Sequence, residues 1–166
     1  MSAPEESVEP VRASYLPKRI LTLFVGESAP RSGAFFYYNN TAMSRNIERA
    51  MKAAGLGRDG NFLECFKAYG WYLDDLVLTP VNGLETSLRK KKCQNAQTSL
   101  AARISKYRPS AIVSLLLSIR ENVEVAANTA GSNAQLFAVP FPGNGQQARF
   151  LKEMSRILPQ LPREAI

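Results

Sequence analysis

The chain contains no histidine. That removes the side chain that titrates nearest neutrality, the commonest general base and metal ligand, and every Ser–His or Cys–His mechanism. Cysteine is almost as scarce: Cys65 and Cys93 are the only two, without CxxC spacing. Two are too few for a disulfide framework or an all-protein zinc site, and Cys65, in an apolar context, reads as core. No apolar run approaches the ~20 residues needed to cross a bilayer. The longest, Ala111 to Leu117, is interrupted by Ser114 and has the length of a buried strand. The start, MSAPEESVEP, is acidic and proline-containing, the opposite of a signal peptide, so the cytoplasm is the expected compartment. A P-loop and a GxGxxG are also missing. Any catalysis is left to carboxylates, amides, hydroxyls, lysines and backbone dipoles.

What is present is an ordinary globular balance. In 166 residues, 45% are hydrophobic and 21% charged, enough for one domain with a buried core. The net charge is +7, which favours a polyanionic partner, DNA among them. Residues 1–18, with Pro4, Pro10, Pro17 and the acidic Glu5, Glu6 and Glu9, read as a flexible leader, and 19–166 as a single domain. The expected state is a monomer off the membrane, with no cofactor and no metal.

The hydrophobic pattern alternates between strands and helices. Ile20–Val25 reads as a strand ending at Gly26, and Thr41 or Ser44 caps a helix running to Ala54. Phe62, Cys65, Phe66 and Tyr69 lie at helical spacing within Asn61–Tyr69. Asp75–Thr79 reads as a second strand, stopped by Pro80. Ser99–Tyr107 is a helix, Ala111–Leu117 a third strand and Glu121–Ala130 another helix. Gln135–Val139 is a fourth strand, and Gln147–Leu158 closes the chain as a helix. This alternation predicts a three-layer α/β/α fold around a four-stranded parallel sheet. In such sheets ligands bind beyond the carboxyl ends of the strands. That rule selects the loops after Val25, Thr79 and Val139.

The first loop begins Gly26-Glu27 and carries four consecutive aromatics, Phe35, Phe36, Tyr37 and Tyr38. Four in a row cannot all enter one side of an element, so at least one faces a cleft, where a flat ring suits a nucleobase. Glu27 could orient a water or steady developing positive charge; the alternative is a capping or ion-paired carboxylate. Asn82, past the second strand, offers a donor and an acceptor together, as base-edge reading requires, or is the first half of an Asn-Gly turn. The third loop, Pro140-Phe141-Pro142-Gly143-Asn144-Gly145, leads into a helix whose N-terminus could hold a phosphate. Asn144 or Gln146 equally serves as a cap, and Arg149 either assists a phosphate or is solvated. The run Arg89-Lys90-Lys91-Lys92, with Arg103, Lys106 and Arg108, builds a face for backbone phosphates or is a solvated loop.

In order and spacing, "LFVGESAPRSGAFFYY", "DDLVLTPVN" and "FAVPFPGN" resemble the three motifs of the uracil-DNA glycosylase superfamily, across about Ile20 to Leu158. The resemblance implies base flipping and excision of a uracil-like, modified or mismatched base from DNA. It implies stacking of the base on Phe36 or Phe35, and Glu27 as the catalytic carboxylate. Asp75 or Asn82 would read the base edge. Ser28, Pro30 and the Pro140–Asn144 loop would hold phosphates. Three positions depart from the family pattern. Val139 stands where the family has a histidine, Phe141 where a serine usually contacts phosphate, and Gly143 near the residue that wedges into the duplex. The iron–sulfur branch's cysteine set is absent too. The alternative expectation is therefore an inactive member of the fold that binds nucleic acid or a protein partner.

Overall fold

Leu23, Phe24 and Val25 are wholly buried, so the first apolar run can only be a central strand, covered on both faces. The computed structural model describes residues 7–58 and 60–166, and in it this run forms β1 (Thr22–Gly26). With β2 (Trp71–Asp75), β3 (Ala111–Ser114) and β4 (Gln135–Ala138) it makes an all-parallel sheet in the order β2-β1-β3-β4. The fold is three-layer α/β/α.

Seven helices connect and cover the sheet among the described residues: α1 (Glu9–Ser14), α2 (Ala42–Ala53), α3 (Phe62–Ala68), α4 (Thr86–Asn95), α5 (Gln97–Tyr107), α6 (Arg120–Thr129) and α7 (Gln147–Ile157). Local chemistry sets their starts. Thr41 and Ser44 form a reciprocal capping box at α2: the Ser44 backbone N–H donates to Thr41 Oγ1 at 3.0 Å, and the Thr41 N–H donates to Ser44 Oγ at 3.1 Å. Asn61 caps α3 by accepting from the Leu63 N–H at 3.0 Å. Helix α2 packs on α7, and α5 on α6. Right-handed crossovers require that division, because the chain leaves β1 toward β2 and leaves β3 toward β4 in opposite directions. None of the helices among the described residues is long and apolar enough to cross a membrane.

Three expectations need correction. Residues 9–14, read as part of a flexible leader, form α1, whose Arg12 is only 3% exposed; the first six residues lie outside the described ones. The second strand is Trp71–Asp75, four residues earlier than Asp75–Thr79. The acidic pair Asp74-Asp75 therefore ends the strand instead of starting it. Two buried carboxylates are tolerable there because two buried or half-buried guanidinium groups, Arg12 and Arg103, meet them. Finally, Arg89–Lys92 belongs to α4 and is not a loop. Arg103, expected on a phosphate-attracting face, turns inward to Asp74.

Candidate functional site

β1 and β3 are neighbours whose outgoing connections diverge, so a crevice opens beyond their carboxyl ends. A cavity of about 620 Å³ occupies it, within the size range of small-molecule sites. Its wall draws on all four loops at that end. Gly26, Glu27, Ser28 and Pro30 come from the loop after β1, with Phe35 and Phe36 further along it. Asp75 and Asn82 come from β2 and the segment after it, Leu115 and Leu116 from the end of β3, and Phe141 and Asn144 from the loop after β4.

Gly26 sits opposite Asp75 in the β1–β2 register, and the two cannot both carry side chains. A Cβ on residue 26 would lie 2.7 Å from Asp75 Oδ1. Asp75 cannot easily swing away, because its Oδ2 accepts from Arg12 Nη2 at 2.9 Å. Arg12 Nη1 donates to the Leu73 carbonyl at 3.2 Å and stands 3.6 Å from Asp74 Oδ1. Arg103 Nη1 holds Asp74 Oδ2 at 2.8 Å and the Asp75 carbonyl at 2.6 Å. Burial nevertheless pushes the Asp75 carboxyl above the usual carboxylate range, with Arg12 opposing the shift.

Glu27 is not a free base. Arg89 Nε lies 3.0 Å from each of its carboxylate oxygens, and Arg89 Nη2 also bonds Oε1. The pair stands between the main cavity and a second, more polar hollow of about 620 Å³ lined by Lys90, Gln94, Gln97 and Asn122. Cys93 Sγ approaches Glu27 Oε2 at 3.8 Å, but burial raises its thiol to about 11, so it is not a ready nucleophile.

The aromatics divide clearly. Phe35 (1% exposed) and Phe36 (5%) touch the cavity from the core side. Phe36 packs edge-on against Tyr37 and Phe62, and Phe35 lies under the Arg12 guanidinium, 4.9 Å from ring centre to charge. Tyr37 is buried and its hydroxyl accepts from the Leu73 N–H at 2.7 Å. The open ring on the wall is Phe141, at 43% exposure. It lies across Gly143, where a Cβ would come 2.6 Å from its Cε1, so Gly143 is the seat of that ring.

Asn82 and Asn40, both on the wall, present their amides in the same way. The Arg31 N–H donates to Asn82 Oδ1 at 3.0 Å and the Phe35 N–H to Asn40 Oδ1 at 2.8 Å. Their oxygens are engaged and their NH₂ groups carry no hydrogen bond among the described residues, so Asn82 offers chiefly a donor, and its turn role is real too: Gly83 has φ +84°. Ser28 Oγ accepts from the Val81 N–H at 3.2 Å, bracing one loop on the other.

Several expected phosphate-binding residues are not placed to bind a phosphate in the cavity. Pro140 is buried and is not part of the cavity wall. Phe141 has no polar atom with which to hold a phosphate. Arg149 is exposed on α7 and bonded to Gln146 at 3.0 Å. Lys90 and Lys91 are exposed on α4. Arg12 and Asn40 were missed as site residues, although two adjacent aspartates beside an apolar run signal that a cation must reach them. Among the described residues no three Cys, Asp or Glu side chains converge as a metal site would require. The chain matches no family model and no curated protein.

Proposed function

We propose that the cavity receives a nucleobase turned out of DNA and that the protein is a DNA-glycosylase-like hydrolase of N-glycosidic bonds. The observation that carries this reading is the meeting of Glu27, Phe35, Phe36, Asp75, Asn82, Phe141 and Asn144 around one cavity at the strand ends. Flat rings, hydrogen-bonding groups for a base edge and an acidic group share that wall. Helix α4, with Lys90 and Lys91 exposed, supplies positive charge beside it, suited to a phosphate backbone.

In this reading the bond from the sugar C1′ to the base nitrogen breaks, and its electron pair leaves with the base. The sugar passes through an oxocarbenium-like state and takes up water, whose oxygen bonds to C1′ and whose released proton ends on the departed base. Glu27 steadies that positive charge or orients the water, and Arg89 fixes the carboxylate's position. Val139 is fully buried and can donate nothing to the departing base, so leaving-group stabilisation falls to other donors such as the NH₂ of Asn82 or Asn40.

Two of these features favour a second reading, a glycosylase-fold protein that binds DNA without cutting: Arg89 neutralises Glu27, and Val139 replaces a donor. One experiment separates them. Oligonucleotides carrying single deaminated, oxidised, alkylated or mismatched bases are incubated with the protein, and released base and alkali-labile sites are measured. The hydrolase reading expects release from at least one, reduced by about 10²–10⁴-fold in Glu27→Gln, the range of one positioned acid–base group. Binding without any release across the panel overturns it in favour of the second.

A further inference from the structure

We propose that Arg12, carried in from the N-terminal helix α1, is a positioning residue of the cavity that holds two of its wall groups, Asp75 and Phe35, in place together. This rests on the base-cavity reading for its ligand but on the geometry of the free protein for its substance.

One guanidinium makes all the contacts. Nη2 donates to Asp75 Oδ2 at 2.9 Å, Nη1 to the Leu73 carbonyl at 3.2 Å, and the central carbon Cζ lies over the Phe35 ring, 4.9 Å from its centroid. Asp75 and Phe35 both line the cavity; Arg12 does not, and stands behind them. Arg supplies what a single ammonium cannot: a rigid fork, one arm on the Asp75 carboxylate and the other on the Leu73 carbonyl, in a cation that also sits over an aromatic ring. Glu9, one turn earlier, stands 3.3 Å from Arg12 Nε as a half-exposed ion-pair partner, without a hydrogen bond to it. Asp75 is further surrounded by Asp74 on its own strand and by Arg103 from α5, which holds its carbonyl. Arg103 serves Asp74's carboxylate, so Arg12 is the cation bonded to Asp75's. Segment 9–14 is then part of the binding machinery: it fixes where the Asp75 acceptor points and where the Phe35 wall stands.

The test uses the full chain. The Asp75 carboxyl is titrated by carbon-detected NMR in the wild type, Arg12→Lys and Arg12→Met, alongside binding of a fluorescein-labelled 20-mer with one extrahelical 2-aminopurine. The Asp75 midpoint is expected to rise by at least one pH unit in Arg12→Met. It should rise less in Arg12→Lys, which keeps the charge and loses the fork. Probe affinity should fall at least tenfold in Arg12→Met, with partial recovery in Arg12→Lys. A residue that only stabilised the fold would move the midpoint and the melting temperature together but leave the probe affinity of the folded variants unchanged. Probe binding equal in all three proteins therefore overturns the proposal, as does an unmoved Asp75 midpoint in a folded variant. Where Arg12→Met does not fold, the Arg12→Lys comparison decides alone. Failure of the wild type itself to bind the probe overturns the base-cavity reading instead and leaves the Asp75 titration to decide the role of Arg12.

Discussion

Gly26 and Asp75 face each other across the β1–β2 pair so closely that a single added carbon on residue 26 would lie 2.7 Å from the Asp75 carboxylate. Arg12 pins that carboxylate, so it cannot step aside without breaking a buried bond. Gly26→Ala is therefore expected to cost about 1–3 kcal/mol, as overpacking does elsewhere. The loss is read as a drop in thermal midpoint of about 2–4 °C per kcal/mol for a chain of this size. An unchanged midpoint would mean that Asp75 relaxes freely and that its position is not fixed.

The same carboxylate gives a pH signature. Burial raises its pKa above the ordinary 3.8, so the folded chain holds this proton more tightly than the unfolded chain does. Between the two values the folded state binds more protons, and stability falls as pH rises through that window, levelling off above it. Urea unfolding of the wild type and Asp75→Asn at half-unit steps from pH 3.5 to 7.5 isolates the contribution. The wild-type stability minus that of the variant should decline with rising pH. A difference that climbs instead would show attraction to Arg12 outweighing desolvation.

The acidic pair also marks where the sequence was legible and where it was not. Alternation of strands and helices gave the layer order, and the strand-end rule located Glu27, Phe35, Phe36, Asn82 and Phe141 in one cavity. Those are local signals, carried by runs of apolar residues and by glycine or proline. The placement of β2 failed because Leu76-Val77-Leu78 is the more apolar run, and charged residues are normally read out of a buried strand. What reversed it is non-local: Arg12, 63 positions before Asp75, and Arg103, 29 after Asp74, neutralise the pair. That Glu27 is ion-paired was one of its two readings, but that the partner is Arg89, 62 positions away, was not legible for the same reason. A charged residue's partner depends on topology, and composition counts it only as surface.

Burial separates the roles of two phenylalanines on the cavity wall, Phe36 and Phe141. Phe36 sits in the aromatic cluster with Tyr37, Phe62 and Phe66, so Phe36→Ala should cost about 3–5 kcal/mol of stability, as large core truncations do. Phe141 is held outward over Gly143, and Phe141→Ala should change stability by no more than about 0.5 kcal/mol. In binding the order reverses. Loss of one base-stacking ring costs about 1–3 kcal/mol, roughly a 5- to 150-fold weaker oligonucleotide affinity. Chemical denaturation and fluorescence anisotropy on both variants check the pair. Normal DNA affinity in Phe141→Ala would remove this ring from the interface.

Helix α4 carries the last separable term. Arg89 turns toward Glu27 while Lys90 and Lys91 stay exposed, so charge can be removed from the outer face without touching the cavity pair. If Lys90 and Lys91 each neutralise one DNA phosphate, Lys90→Ala and Lys91→Ala should each lower the slope of log affinity against log salt by about 0.9. Their effect should be equal for matched and base-modified duplexes, because phosphate contacts carry no sequence information. Thermal midpoints should stay within about 2 °C of the wild type, since each substitution removes only a solvated charge and exposed positions shift stability by about 0.5 kcal/mol or less. Titrations at four salt concentrations between 50 and 300 mM settle it. A slope unchanged in the double variant would place the DNA backbone on another face, and the cavity would then have to be approached from the side of Arg31 and Phe141.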